Sequence, residues 1–328
     1  MTDAIESAAL DTRSYRGLLL PNGLRVLLAS DPNAVKAAAA MDVQVGYMSD
    51  PAELPGLAHF CEHMLFLGTT PYPQEGDFER FVAAGGGSNN AYTAAEDTCY
   101  YFDCQGGALE GALSRFSQFF QAPLFTESAT AREVNAIESE HSKNLQSDYW
   151  RYDQLLKVRA DRAHPYAKFG TGNRATLRNG DASARAALLA FHERYYQAPQ
   201  MSLAVVGPQP LDALQRLVEK EFRAVPGAVR PTASAEYDSL PLPFRPDPAD
   251  PRLALMVPVA ETRVLKAAWC LPVSDLDDWV LTKPDEIWAL LLRNRAQVRT
   301  ASASASVWPW ADATLWERGL GAWFRSVV

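Results

Sequence analysis

The pentapeptide His59-Phe60-Cys61-Glu62-His63 lies in an apolar run, residues 57–67, whose spacing predicts a helix. Side chains four residues apart share a helix face, so His59 and His63 can bind one ion, with Glu62 on the same side. Two neutral imidazoles, a third protein ligand and an open fourth position form the ligand set of catalytic zinc. Zinc lowers the pKa of its bound water to about 7, so a nearby carboxylate can accept the proton. We therefore expect His59 and His63 to bind one Zn2+ per chain, with Glu62 as the catalytic base.

The third ligand has to come from another part of the chain. Residues 132–141 read Arg-Glu-Val-Asn-Ala-Ile-Glu-Ser-Glu-His and have helical spacing. Glu133 and Glu140 are seven residues apart and share a face, whereas Glu138 points elsewhere and His141 is one residue off that face. We predict Glu140 as the third zinc ligand, with His141 as a weaker candidate. Glu133 is predicted to be a further catalytic-site acid that holds a ligand imidazole or the attacking water. The alternative is an ordinary acidic helix face in contact with solvent.

Composition narrows the class of protein. The 328 residues carry a formal net charge of −8, so no basic excess exists to neutralise the phosphates of a nucleic acid. Four cysteines are too few for a disulfide framework. No apolar run reaches the length of a membrane span, and residues 1–14 lack the basic-then-apolar order of a secretory signal. We expect a soluble protein of the cytoplasm, with the periplasm as the alternative, that binds neither nucleic acid nor membrane.

Strand and helix patterns alternate irregularly, which indicates the α+β class. A hairpin is predicted around Pro21-Asn22-Gly23. Further strands are predicted at residues 37–47, 89–93, 98–104 and 201–206, and helices at 57–67, 74–84, 109–120, 126–156, 182–196 and 211–222. Prolines crowd residues 231–251, as in an extended linker. The predicted division is therefore an N-terminal zinc-binding domain at 1–228, a Pro-rich linker at 229–250, and a second domain at 251–328; the resemblance described below implies that the first is a peptidase domain and that the second is truncated. Strands at 253–258 and 263–271 would begin that second domain.

Several motifs together resemble the inverted-zincin peptidases of the insulin-degrading enzyme and pitrilysin type, the M16 family, whose signature is His-x-x-Glu-His. Residues 56–69 resemble the family's zinc helix, and residues 87–93 its substrate-facing strand. Residues 132–144 resemble its second metal-binding helix, with the ligand on Glu140 and the supporting acid on Glu133. His164-Pro165 and residues 168–173, Lys-Phe-Gly-Thr-Gly-Asn, resemble a further loop. The resemblance covers about residues 15–285.

The resemblance implies a mainly antiparallel sheet flanked by helices, the insulinase/LuxS-type metalloenzyme domain, followed by a truncated second domain of the same kind. It implies a zinc-dependent endopeptidase whose substrates are peptides or small unfolded proteins, added as a strand to a sheet edge beside the zinc. Asn90 and Ala91 fall on that edge and are expected to contact the peptide. Plain strand-turn residues are the alternative for this pair.

The chain also departs from the family pattern. Later domains of full-length members supply groups that hold the substrate and the tetrahedral intermediate, and none of these maps onto this sequence. We therefore expect zinc binding but poor cleavage by the chain alone, unless a second chain supplies the missing C-terminal half. The alternatives are a non-catalytic or regulatory peptide-binding subunit and a processing protease for one small peptide precursor.

The tail from about residue 285 does not follow the family pattern. In place of a glycine-rich loop, it holds an alternating Ala-Ser run that is followed by four tryptophans, at residues 308, 310, 316 and 323. Codons permitted for residues 293–298 can spell a Glu-Pro-Gly-Pro-Gly run in the next reading frame. We therefore hypothesise that this tail is a frameshifted reading, which the nucleotide sequence translated in three frames would test.

Overall fold

The computed structural model describes residues 5, 8–228, 237, 240–244 and 254–261, together with the backbone of three strands at 267–272, 313–316 and 322–327. Its contacts divide the chain into two units. One unit comprises residues 1–144 and 168–236, and the other comprises residues 145–167 and 237–328.

The first unit is built on a six-stranded sheet in the order β1-β2-β6-β3-β5-β4. These strands are β1 (Ser14–Leu19), β2 (Arg25–Ser30), β3 (Lys36–Val43), β4 (Asn89–Thr93), β5 (Thr98–Gln105) and β6 (Met201–Gly207). Neighbouring strands are antiparallel, except for β2 and β6, which run parallel. The predicted α+β class and mainly antiparallel sheet are thus confirmed.

In the described part of the same unit there are six α-helices. They are α1 (Leu57–Leu65), α2 (Asp77–Ala84), α3 (Leu109–Ser117), α4 (Glu127–Asn144), α6 (Ala182–Tyr195) and α7 (Leu211–Phe222). Burial alternates along strand β3: Ala37, Ala39, Met41 and Val43 are buried, and the residues between them are partly exposed. Because successive side chains of a strand point to opposite faces, the apolar residues of β3 lie on one face of the sheet. An aromatic cluster fills the space between sheet and helices, with ring contacts among Phe66, Phe78, Tyr100, Phe102, Phe116, Phe119 and Phe120.

The second unit contains helix α5 (Asp148–Arg159) and a three-stranded antiparallel sheet in the order β7-β9-β8. The strands are β7 (Ala267–Pro272), β8 (Ala313–Trp316) and β9 (Ala322–Val327). At the first residue of α5, the carboxylate of Asp148 accepts hydrogen bonds from the backbone N–H groups of Val259 and Ala260. No helix in the described part of the chain is long and apolar enough to cross a membrane.

Several predicted elements need correction. The single helix predicted at 126–156 is wrong, because α4 ends at Asn144 and α5 begins at Asp148, with extended backbone at Ser147. The strand predicted at 37–47 ends at Val43 and is followed by a 3-10 turn, and residues 254–258 are not a strand. Most of the predicted linker at 229–250 and most of the tail from residue 285 lie outside the described residues. The predicted domain bounds and the frameshift hypothesis stay predictions.

Candidate metal centre

Helix α1 is fixed at its first turn by a buried carboxylate. Asp50, 2% exposed, accepts hydrogen bonds from the backbone N–H groups of Gly56 (2.6 Å) and Ala58 (2.8 Å). These are among the amides that the start of a helix leaves without an internal partner, so Asp50 acts as a cap. Burial raises the pKa of Asp50 to about 7, although the hydrogen bonds from Ala58 and Gly56 oppose the rise. The cap fixes where the helix begins and hence where its histidines lie.

The two histidines of α1 converge with a carboxylate from α4. The Nε2 atoms of His59 and His63 are 3.2 Å apart, and the rings meet edge-on with their centroids 4.6 Å apart. Oε2 of Glu140 lies 3.6 Å from His59 Nε2 and 3.5 Å from His63 Nε2. Within the described ranges, these three residues form the only group of at least three His, Cys, Asp or Glu residues whose ligand atoms all lie within 4.8 Å of one another.

The other ring nitrogen of each histidine, Nδ1, forms a hydrogen bond with another residue of the chain. His59 Nδ1 lies 2.8 Å from the carbonyl oxygen of Thr171, which can only accept a hydrogen bond. His63 Nδ1 lies 2.7 Å from Oε1 of Glu133. Both Nδ1 atoms therefore act as donors, which leaves Nε2 as the free lone pair of each neutral ring. The partners also fix the ring orientations toward one common point.

The spacing of the three ligand atoms fits a tetrahedral ion of the size of zinc. Bonds of about 2.0–2.1 Å to a tetrahedral ion place neighbouring ligands about 3.3–3.4 Å apart. The observed separations of 3.2, 3.5 and 3.6 Å bracket that value. Three protein ligands with one position left open are the pattern of catalytic rather than structural zinc sites. The residues present are thus compatible with one zinc ion.

When no metal is bound, a proton is held by His63, next to Glu140. Burial opposes the charging of His63, but its hydrogen bonds to Glu133 and Glu140 outweigh this effect and raise the pKa of His63 to about 9. The hydrogen bond from His63 in turn holds the pKa of Glu140 below its usual value, against the effect of burial. A metal that binds these atoms has to displace this proton.

Glu62 belongs to α1, next to the ligand His63, and its side chain reaches strand β4. Its side chain is 8% exposed, and its Oε2 accepts a 2.5 Å hydrogen bond from the hydroxyl of Thr93. No hydrogen bond to the second carboxylate oxygen is found within the described part of the chain, so this oxygen is available to a reacting water. The sequence pattern identified Glu62, but it did not identify Thr93, whose hydroxyl orients this carboxylate.

Strand β4 is an edge of the six-stranded sheet, and it carries the predicted peptide contacts Asn90 and Ala91. Just before β4, the carbonyl oxygen of Ser88 accepts a hydrogen bond from the backbone N–H of Asp103. Because the pattern alternates along an antiparallel pair, Asn90 and Tyr92 also turn their backbone N–H and C=O groups toward β5. The N–H and C=O of Ala91 consequently point away from β5, toward the open edge. In this structure, the outward N–H of Ala91 donates to Oδ1 of Asn90 at 2.9 Å.

The two other candidate side chains of α4, those of Glu138 and His141, contact residues outside the ligand group. Oε2 of Glu138 accepts a hydrogen bond from the backbone N–H of Arg174, as expected for a side chain on a different face. The His141 ring packs edge-on against Phe169, with the centroids 5.0 Å apart, and it is not in the ligand group. Of the predicted residues, the structure brings His59, His63, Glu140, Glu133 and Glu62 together and places Asn90 and Ala91 on the neighbouring edge strand.

A helix that carries His-x-x-Glu-His, a carboxylate from a second helix and an open sheet edge together define the inverted-zincin class. Comparison with known families agrees. The model described as "Insulinase (Peptidase family M16)" matches residues 25–161, and the model described as "Peptidase M16 inactive domain" matches residues 183–292. The chain therefore belongs to the M16 peptidase family.

Individual relatives place the chain more closely. It is 52% identical to an insulin-degrading enzyme of Drosophila melanogaster and 48% identical to that of Homo sapiens, over 67% and 72% of this chain. It is 40% identical to the A-factor-processing enzyme of Saccharomyces cerevisiae over 86% of this chain and 27% of that protein. The crystal structure of pitrilysin matches all of this chain and 35% of its own, with a TM-score of 0.82 and 27% identity. The chain spans 23% of the length of the insulin-degrading enzymes it matches.

Proposed function

We propose that this chain is the zinc-binding part of an endopeptidase that hydrolyses peptides or small unfolded proteins. The observation that carries the proposal is the convergence of His59 Nε2, His63 Nε2 and Glu140 Oε2 beside the carboxylate of Glu62. One Zn2+ per chain would be held by these three residues, and Glu133 would orient His63 through its Nδ1.

The proposed chemistry divides between the ion and the chain. When bound, zinc supplies Lewis acidity toward water and toward the scissile carbonyl. Glu62 accepts the proton of the attacking water and later delivers it to the leaving amine. Thr93 holds Glu62 in the orientation that this transfer needs, since its hydroxyl donates to one carboxylate oxygen and leaves the other available.

The edge strand supports a main-chain mode of substrate binding. A peptide that pairs with the outward N–H and C=O of Ala91 would extend the sheet by one strand, and main-chain hydrogen bonds accept any sequence. Asn90 would release the Ala91 N–H and become available to the peptide. Because Thr93 belongs to the same strand, the peptide would lie next to the group that orients Glu62.

The chain alone is proposed to bind zinc but to cleave peptides slowly. Donors that stabilise the developing oxyanion typically contribute a hundredfold or more in rate, and we expect them to come from outside this chain, which spans 23% of the length of the insulin-degrading enzymes it matches. A second chain that supplies the rest of the fold is the proposed partner. The proposed compartment is the cytoplasm, with the periplasm as the alternative.

A dedicated processing protease is the second candidate, favoured by the likeness to the A-factor-processing enzyme over 86% of this chain. A non-catalytic subunit is the third, and the presence of Glu62 beside a complete ligand set disfavours it. Metal analysis combined with cleavage of a quenched fluorescent peptide, with and without a chelator, tests the proposal. Bound zinc with chelator-sensitive cleavage supports an enzyme, bound zinc without cleavage in any combination of chains supports the subunit, and absence of zinc refutes the site.

A further inference from the structure

The segment from Lys168 to Arg174, named here the bridging segment, contacts the start of helix α1 at three points. Lys168 Nζ donates to the backbone oxygens of Met48 (2.6 Å) and Asp50 (2.5 Å), in the loop whose Asp50 carboxylate caps α1. The backbone of Gly172 lies so close to Gly56 that a Cβ atom on Gly56 would be 2.3 Å from Gly172 Cα.

The third contact reaches a ligand directly. The Thr171 carbonyl oxygen accepts the hydrogen bond from His59 Nδ1 at 2.8 Å. Gly56 and Gly172 both have positive φ, 95° and 78°, so neither position accepts a side chain without strain. The lack of a side chain at both positions therefore permits the close approach of the two backbones next to the imidazole contact.

The opposite side of the bridging segment contacts α4. The backbone N–H of Arg174 donates to Glu138, and its guanidinium donates to Oδ1 of Asn135 at 2.6 and 3.0 Å. The Phe169 ring packs against the ring of His141. These three α4 residues surround Glu140 along the chain, although none of them is in the ligand group.

We propose that the bridging segment sets the placement of α1 relative to α4, with Lys168 and Arg174 as positioning residues for the metal centre. The proposal rests on the proposed function, since it needs the cluster to bind zinc. Two ligands come from α1 and one from α4, so a small shift of either helix changes the separation of Nε2 and Oε2 atoms that now fit one ion. Metal sites need their ligands held to within about 0.5 Å, which requires groups outside the ligand set.

The test measures the zinc dissociation constant by competition with a chelating dye, using the full chain. Groups that hold ligands in place typically change metal affinity by about 10–100-fold when removed, so Lys168→Met is expected to weaken binding about tenfold. Arg174→Met is expected to weaken it about threefold, because its contacts are exposed. Lys168→Arg keeps a donor and is expected to restore most of the affinity. Arg16→Met is the matched control, since it breaks contacts of β1 with Asp212 and Gln215 away from the cluster.

A double-mutant cycle separates positioning from loss of stability. If Arg174 acts by placing Glu140, the effect of Arg174→Met on zinc affinity should disappear in a Glu140→Ala background. An equal effect in both backgrounds, or a lower melting temperature with unchanged zinc affinity in Lys168→Met and Arg174→Met, would overturn the proposal. Failure of the unaltered chain to bind zinc would instead overturn the proposed function, and this inference with it.

Discussion

At the scale of single residues, Glu62 is distinguished from its neighbours by being buried, oriented and outside the ligand group. Among the described residues, the one hydrogen bond to its carboxylate comes from Thr93, and Glu62 does not contribute any of the three ligand atoms. A carboxylate in this position can exchange protons with a water without losing a bond to the metal.

Glu62→Gln should abolish peptide hydrolysis, because an amide keeps the shape of the side chain but cannot accept the proton of the attacking water. A loss of at least about a hundredfold in turnover is expected, with unchanged zinc content. The measurement is cleavage of a quenched fluorescent peptide by the chain together with its complementing half, alongside metal analysis. Glu79→Gln, at an exposed position of α2, is the control. Turnover retained by Glu62→Gln would refute the assignment.

Zinc affinity should rise with pH up to about 9. In the metal-free protein the pKa of His63 is raised to about 9, so below this pH zinc displaces a proton and affinity falls about tenfold per pH unit. Calorimetry at pH 7 in buffers of different ionisation enthalpy should report close to one proton released per zinc. Glu133→Gln keeps an oxygen acceptor for His63 Nδ1 but removes the negative charge that helps to raise the pKa of His63, so the zinc affinity of this variant should depend less on pH over this range. An affinity that is independent of pH between 6 and 8 would contradict this account.

At the scale of secondary-structure elements, β4 and α1 form one functional pair. Thr93 joins the two through Glu62, and the outward backbone of Ala91 lies on the free edge of the same strand. Strand β4 therefore orients the proposed base, Glu62, and carries the backbone groups to which the proposed peptide would bind.

Ala91→Pro should weaken peptide binding while the sheet stays intact. Proline removes the outward N–H of residue 91, and it does not remove any of the hydrogen bonds that join β4 to β5. Fluorescence anisotropy with a labelled peptide and a Glu62→Gln background should show at least about a fivefold weaker affinity, the equivalent of one hydrogen bond of about 1 kcal/mol. Ala91→Ser keeps the N–H and should bind as before. Equal affinities for the two variants would exclude pairing at Ala91.

Removal of the cap on α1 should destabilise the first unit. Asp50→Ala leaves the buried N–H groups of Gly56 and Ala58 without an acceptor, which is expected to cost about 1.5–3 kcal/mol of the free energy of unfolding. Asp50→Asn keeps one oxygen acceptor and should lose less. Urea unfolding gives both values, and an unchanged midpoint for Asp50→Ala would show that the cap contributes nothing.

The elements differ in how far the sequence predicts them. The ligand helix follows from His59 and His63 at helical spacing, and the alternation of β3 is visible in the sequence, so both were predictable. The break between α4 and α5 was not, because residues 145–147, Leu-Gln-Ser, contain neither glycine nor proline. The contact of Thr171 with His59 uses a main-chain carbonyl, which every residue carries, so no side-chain pattern could indicate it.

At the scale of the whole molecule, the chain contains a complete ligand set but spans 23% of the length of the insulin-degrading enzymes it matches. Zinc binding and turnover should therefore be separable properties. The ligands and their supporting contacts lie within the first unit, whereas we propose that the oxyanion donors are supplied by a second chain.

Addition of a second chain that carries the C-terminal half of a related full-length enzyme should raise peptide turnover by about a hundredfold or more, because oxyanion donors contribute at least that much. Zinc content should not change. A mixture with the same half in which this chain carries His63→Ala serves as the control and should be inactive. Turnover by the chain alone that equals turnover of the mixture would show that no further half is needed.

The hydrogen bond between Asn90 and the Ala91 backbone has a consequence for solubility. An exposed sheet edge attracts strands from other molecules, and such pairing leads to aggregation. The carboxamide of Asn90 occupies the outward amide in advance, so an incoming strand has to displace it at a cost of about 1 kcal/mol. A long extended segment recovers this cost through several main-chain bonds, whereas a brief collision between two copies does not. The Asn90 side chain thus limits the pairing of this strand with other copies of the protein and still leaves it accessible to an extended peptide.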